Sequence, residues 1–313
     1  MTDQQTHPLA DFRSTPDPRD PRAPTLLRAW RVGDEVGGLP AVIGLPYDGG
    51  IPSRPGARFG PKALRAALAS FGTYSGEHEL EPVVDLGDVD LTGRSGREVH
   101  SRIERAAQRV FRAGARPVFI GGDHGCTGSV IRGLAEARPE LRLALITVDA
   151  HLDVREYDDE ASLSSGTPFR RALETPILTG ARMAMIGVRS FANSRYYLDF
   201  AREEQILLTT ADEVAERGAP AIAAAALDHV TAEADALYLS VDLDAADAAV
   251  APGVSAPGIG GLSAREMISL VGAIAASPLL VGADIMELSP PYDVDGRTAR
   301  LGARLLLELL GIR

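Results

Sequence analysis

Cysteine is nearly absent from this chain: among 313 residues there is one, Cys126. A lone cysteine excludes an internal disulfide and leads us to expect a reducing compartment, the cytoplasm. Long apolar runs are missing too; none approaches the roughly 18–20 residues of a membrane span. The N-terminus has no charged start followed by an apolar run, so no secretory leader is expected. Positive charge is in deficit, with a net charge of −11. That argues against a nucleic-acid surface, which needs a basic stripe, and against adhesion to an anionic membrane. It leaves a pocket free to be locally positive. What is present is a globular composition, 45% hydrophobic and 24% charged, enough for one large α/β domain or two smaller ones.

Residues 1–25 are rich in Pro, Asp and Arg without an apolar period, and read as a flexible arm or a strapped-down extension. From 26 to 313 no linker or repeat interrupts the chain, so a single domain is expected. Strand-like runs lie at 39–46, 81–87, 116–122, 142–150, 182–189, 206–210, 236–244 and 279–288. Helical patterns lie at 61–70, 97–113, 126–137, 193–204, 219–231, 263–276 and 297–311. Strands alternating with helices imply a three-layer α/β/α fold with a mostly parallel central sheet. In such a sheet a ligand site lies outside the carboxyl ends of the strands. The polar motifs GGDHG, DAHLD, VRSF, SVDLDAAD and MELSP all follow strand-like runs.

Asp149, His151 and Asp153 stand at i, i+2 and i+4, which point to one side while the chain stays extended. Asp242 and Asp244 repeat the pattern after another strand, and His124 follows a third. Each piece alone has a plain reading, as a solvated loop, a turn aspartate or a helix cap. Together, so many carboxylates and imidazoles aimed at one place would repel and carry a large desolvation cost unless a cation neutralised them. Two imidazoles and four carboxylates form a hard donor set that suits Mn²⁺ better than structural Zn²⁺. Two ions about 3.5 Å apart, bridged by shared aspartates, would lower the pKa of water held between them.

The stretches PYDGGIPSRPGARFGPKALR, GGDHG, DAHLD, SVDLDAADAAVAPG and ADIMELSPPYD, in this order, resemble the ureohydrolase (arginase/agmatinase) family from about residue 40 onward. The resemblance implies a catalytic domain holding two Mn²⁺ per subunit. His124, Asp149, Asp153 and Asp242 would hold one ion. Asp149, His151, Asp242 and Asp244 would hold the other, with Asp149 and Asp242 bridging. It further implies that Glu287 grips an amidinium or guanidinium, that Asp153 accepts a hydrogen bond from the attacking hydroxide, and that the substrate is a small amidine or guanidino compound. A homo-oligomer, trimer or hexamer, is the family's usual assembly.

Many members place a histidine just before the Gly of the segment that reads SGTP here, whereas this chain has Ser165. DAHLDVR, SSGTPFRRAL, VRSFANSRYYLDFA and VAPGVSAPGIGGL resemble the formimidoylglutamase branch, which cleaves N-formimidoyl-L-glutamate to L-glutamate and formamide. That substrate carries two carboxylates. Arg155 is the candidate to grip one, with Thr167, Arg189 or Asn193 helping, because a guanidinium fork bonds both carboxylate oxygens. The alternative for Arg155 is a surface ion pair with Asp158 or Asp159. The alternative substrates are agmatine and guanidinobutyrate, with release of urea. A catalytically silent metal-binding protein is the reading from another class.

Cys126 reads as a small residue opening a helix, not a nucleophile. GARFGP lacks the spacing of a phosphate loop, and Pro61 reads as a helix start. His78, His100 and His229 are expected at the surface, and Asp123 as a group orienting a ligand or the loop. The leucine-rich C-terminus implies core burial or a subunit contact.

Overall fold

A computed structural model describes residues 17–159 and 162–311. Most of the expected arm, residues 1–16, lies outside them. Of its remainder, Ala23 is buried and Arg22 bridges to Gly72.

Among the described residues nine strands form one sheet: β1 Leu27–Ala29, β2 Pro40–Leu45, β3 Val83–Asp88, β4 Arg116–Gly121, β5 Leu143–Val148, β6 Met183–Val188, β7 Leu207–Thr210, β8 Ala236–Asp242 and β9 Leu280–Met286. Their order is β1-β3-β2-β4-β9-β8-β5-β6-β7, and every pairing is parallel. The helices are α1 Gly60–Ala67, α2 Gly96–Arg112, α3 Gly125–Ala137, α4 Pro168–Leu173, α5 Arg195–Glu203, α6 Ala211–Arg217, α7 Ala219–Thr231, α8 Ala264–Ala275 and α9 Arg297–Leu310.

The central strands read as unbroken apolar runs because both of their faces are covered. Along β5, Ala144, Ile146 and Val148 enter one core, while Leu143 and Leu145 enter the other. Along β8, Leu237, Leu239 and Val241 part from Ala236 and Tyr238 in the same way. This is the period of two of a pleated strand. The first core is closed by α1, α6, α7, α8 and α9, the second by α2, α3, α4 and α5. The leucines of α9 are taken up within the chain, Leu305, Leu306 and Leu309 being at most 1% exposed. No helix of the described residues is long and apolar enough to cross a membrane.

Three elements escape the reading of the sequence. β1 has only three residues at the sheet's edge, too short for a period to show. α4 is a six-residue helix with Pro168 in its first turn. α6 does carry a local signal: Thr210 and Glu213 form a capping box, with Glu213 N–H donating to Thr210 Oγ1 at 3.1 Å.

His100, expected at the surface, is 4% exposed. It stands on the stripe of α2 that packs with Val99, Ile103 and Ala107. Its Nδ1 lies 2.9 Å from Ser129 Oγ, and its ring meets Tyr47 edge-on. Burial, then the Arg171 and Arg132 cations, push its pKa down to about 3. Below pH ~6.5 the unfolded chain therefore takes up a proton that the folded chain refuses. Stability should fall with pH by up to about 1.4 kcal/mol per unit between roughly 6.5 and 3. His100→Asn, which keeps an acceptor toward Ser129, should flatten that slope relative to the parent. Urea midpoints at pH 7.5, 6 and 5 check this; parallel curves for the two proteins would refute it.

Candidate metal centre

β4, β9, β8, β5 and β6 are consecutive in the sheet, so the segments after their carboxyl ends meet. His124 caps α3, three residues beyond β4. Asp149, His151 and Asp153 follow β5, Asp242 ends β8 and Asp244 sits in the tight turn after it. Glu287 follows β9 and Arg189 follows β6. Residues far apart in sequence become neighbours because parallel strands all deliver their ends to one rim.

His124 Nδ1 lies 3.1 Å from a carboxylate oxygen of each of Asp149, Asp153 and Asp242. His151 Nδ1 lies 3.1 Å from Asp244 and 3.7 Å from Asp149. Two ligand sets result, His124–Asp149–Asp153–Asp242 and Asp149–His151–Asp244, sharing Asp149. Asp242, expected in both, joins only the first; its Oδ1 accepts from the Asp244 N–H at 2.7 Å. Despite the short distances, buried His124 Nδ1, Asp149 Oδ2 and Asp244 Oδ1 have no aligned hydrogen-bond partner among the described residues. Close approach without alignment fits donors gathered around cations better than donors paired with one another.

The charge balance agrees. Burial lifts Asp149 to about 6, with Asp153 adding repulsion. Burial, then Asp244 and Asp149, hold Asp242 well above the carboxylate range. Burial pulls the His151 imidazole down, but Asp244, Asp149 and Asp153 outweigh it and push it up to about 10. The carboxylates thus demand positive charge, which divalent ions would supply without protonating the imidazoles.

Of the two roles expected of Asp123, orienting a ligand or the loop, it takes the second; the other nitrogen of His124 finds its partner elsewhere. His124 Nε2 lies 2.9 Å from Ser240 Oγ, which donates to Asp284 Oδ1 at 2.6 Å. Asp284 also accepts from Thr127 and Tyr238, so this buried carboxylate holds the imidazole's orientation through a hydroxyl. Nothing in the local sequence marks it, because Asp284 lies mid-strand in an apolar run. Asp123 instead accepts from Gly50 N–H at 2.8 Å and fixes the loop after β2.

A cavity of about 200 Å³ opens over the cluster, lined by His151, Asp153, Asp242, Asp244, Ser255 and Glu287 within, and by Ser53, Ser164, Ser165 and Arg155 toward its mouth. A larger hollow of about 570 Å³ lies between residues 71–80 and α8–α9, away from both ligand sets. Glu287 is 2% exposed; its Oε1 accepts from the His124 N–H at 2.7 Å, and Ser255 donates to its Oε2. Burial, then the Asp123 charge, push Glu287 up to about 8. Asp153 and Glu287 both adopt left-handed backbone, φ 49° and 70°. Such conformations cost on the order of 1 kcal/mol and gather at functional sites.

The expected substrate contacts divide. Arg155 is exposed at the cavity mouth and, among the described residues, forms no ion pair with Asp158 or Asp159. Thr167 does not line the cavity: it is 1% exposed, and its hydroxyl donates to Ser164 O at 2.8 Å to close the loop. Arg189 is drawn behind the cluster, where its Nη1 reaches the Asp244 carbonyl at 3.4 Å and its guanidinium packs on Gly258. Asn193 has both amide groups engaged, accepting from Leu152 N–H and donating to Ala150 O, each at 3.0 Å. It clamps the ligand-bearing segment and lines a side cavity of about 120 Å³.

The family model described as the arginase family matches residues 40–311. A guanidinopropionase of Pseudomonas aeruginosa is 36% identical over 94% of this chain and 92% of its own length. The crystal structure of formimidoylglutamase from Bacillus subtilis superposes with a TM-score of 0.89 at 32% identity, covering 95% of this chain and 93% of that one. A Trypanosoma cruzi formiminoglutamase with Mn²⁺ gives a TM-score of 0.84 at 29% identity, covering 93% and 98%.

Proposed function

Because the chain belongs to the arginase family, we propose that this amidinohydrolase acts on N-formimidoyl-L-glutamate, giving L-glutamate and formamide. The observation that carries the reading is Arg155, a guanidinium that has no ion pair among the described residues and stands at the mouth of a cavity whose floor is acidic. A substrate with a cationic amidinium at one end and carboxylates at the other matches that polarity.

Two Mn²⁺ would be held by His124, Asp149, Asp153 and Asp242 and by Asp149, His151 and Asp244, with Asp242 completing the second set. Bound there, they would supply Lewis acidity and a nucleophile at neutral pH. The protein's own groups do the rest. Glu287 receives the amidinium N–H groups; a cation in the cavity favours its ionised form against burial. His124 N–H and Ser255 keep that carboxylate aimed while it does so. Asp153 accepts a hydrogen bond from the attacking water. Oxygen bonds to the formimidoyl carbon, the bond from that carbon to the glutamate nitrogen breaks, and the amine leaves with a proton. At the cavity wall Ser165 offers no imidazole, and among the described residues the one lining imidazole, His151, belongs to a ligand set. The proton therefore passes through water or the carboxyl groups of Asp153 and Glu287.

A guanidino acid is the second reading, favoured by the identity to guanidinopropionase; it too presents a carboxylate to Arg155. Agmatine would set a cationic tail against Arg155. A panel of formimidoylglutamate, guanidinopropionate, guanidinobutyrate and agmatine, with Mn²⁺-loaded protein and assays for formamide and urea, decides the matter. We expect formamide from the first. Urea from agmatine as the main activity would overturn the acidic-substrate reading, and inertness toward all four would point to a silent metal-binding protein.

A further inference from the structure

Arg171 heads the large side chains that the fold buries completely, at 1% exposure, and it lies outside the cavity. An interior guanidinium is costly unless its donors are answered. Here the compensation is partial. Nη1 donates to Gly125 O at 3.1 Å, and Nη2 donates to Ser129 Oγ at 2.9 Å and to Glu104 Oε1 at 3.4 Å. Nε has no hydrogen-bond partner among the described residues. As a device for stability alone this is a poor one, since an apolar side chain of similar volume would avoid the desolvation.

Its partners suggest another use. Gly125 directly follows His124 and opens α3, and Ser129 lies one turn further on. Arg171 itself rides on α4, which is tied to the other side of the cluster: Phe169 N–H donates to Asp153 O and Arg170 Nε to Val154 O, both at 3.1 Å. The Phe169 ring meets the His124 ring edge-on at 5.2 Å. Gly128 leaves the space this requires; a Cβ there would stand 2.9 Å from Arg171 Nη1 and 3.0 Å from Pro168 O. The guanidinium thus joins the helix that presents His124 to the helix that holds the Asp153 backbone.

We propose that Arg171 is a positioning residue that fixes His124 against Asp153 and so sets the affinity of the His124–Asp149–Asp153–Asp242 metal set, leaving the Asp149–His151–Asp244 set largely unaffected. The inference rests on the metal-binding reading above.

The test is Mn²⁺ titration of metal-stripped protein, with free Mn²⁺ followed by its paramagnetic resonance signal. In Arg171→Met one of two binding classes should weaken by about 10–100-fold, as for groups that orient metal ligands. The other class should stay within about twofold. Arg171→Lys keeps the buried charge but lacks the planar fork, and guards against a misfolded Met variant; it should weaken the same class by a smaller factor. Unchanged affinities with a lowered Tm would make Arg171 merely structural and overturn the proposal. Equal weakening of both classes would overturn it as well. A parent protein that binds no Mn²⁺ would instead sink the metal reading itself.

Discussion

Asp149→Asn should lower kcat/KM by about a thousandfold, because the shared carboxylate of both ligand sets loses its charge. A metal centre that stabilises charge in the transition state is worth several kcal/mol, and about 4 kcal/mol is a factor of ~10³. Asparagine keeps the shape of the side chain and the acceptor that the His151 N–H uses at 2.7 Å. The fold should therefore survive. Without metal the variant should be as stable as the parent or more so, since one member of a buried, mutually repelling carboxylate group has been neutralised. The Tm gain on adding Mn²⁺ should shrink sharply, because stabilisation follows the affinity for the folded state. Calorimetry of stripped and loaded protein, beside steady-state kinetics, checks both halves. A variant with parental kcat/KM would remove Asp149 from the centre.

Arg155→Ala should raise KM for formimidoylglutamate by about 10–100-fold with little change in kcat. A charged hydrogen bond to a carboxylate is worth about 1.5–3 kcal/mol. The residue stands at the mouth, away from the atoms that react, so the loss is of binding common to ground and transition states. Because the side chain is exposed and unpaired among the described residues, its removal leaves no buried partner stranded and Tm should barely move. Its backbone N–H, which donates to Gly166 O at 2.8 Å, is untouched by the substitution. The same change should leave activity on agmatine level or improve it, as a like charge is taken away. An unaltered KM for every acidic substrate would show that the carboxylates are gripped elsewhere.

The elements nearest the site were the most legible. A strand such as β5, followed at once by Asp149, His151 and Asp153, declares both its apolar run and its polar tip within a dozen residues. Positions that depend on packing were harder to read. Thr167 looks available beside Ser165 and Gly166, yet helix α4 turns it inward, and α4 was itself hidden by its brevity. Arg189 ends a strand on the right rim, but the loop carrying Gly258 draws its guanidinium behind Asp244. His100 passes for a surface residue until α2 is known to lay that stripe on α3.

The sequence alone determined the alternating α/β architecture and five of the six metal-ligand candidates, because both are written in short-range periodicity: runs of apolar residues, and side chains two apart on an extended chain; His124 stands alone and is marked only by its place after a strand. Tertiary structure alone decided that β4, β9, β8 and β5 lie side by side, which brings His124 to Asp149 and Asp242 and lays Glu287 against the His124 backbone. It also decided that Ser240 and Asp284 hold the His124 ring, that Arg171 braces its helix, and that of the four expected substrate contacts beside Glu287, only Arg155 stands at the cavity mouth without a partner among the described residues. These depend on strand order and on which face of a helix finds a partner. Both are fixed by contacts between segments a hundred residues apart, to which local patterning is blind.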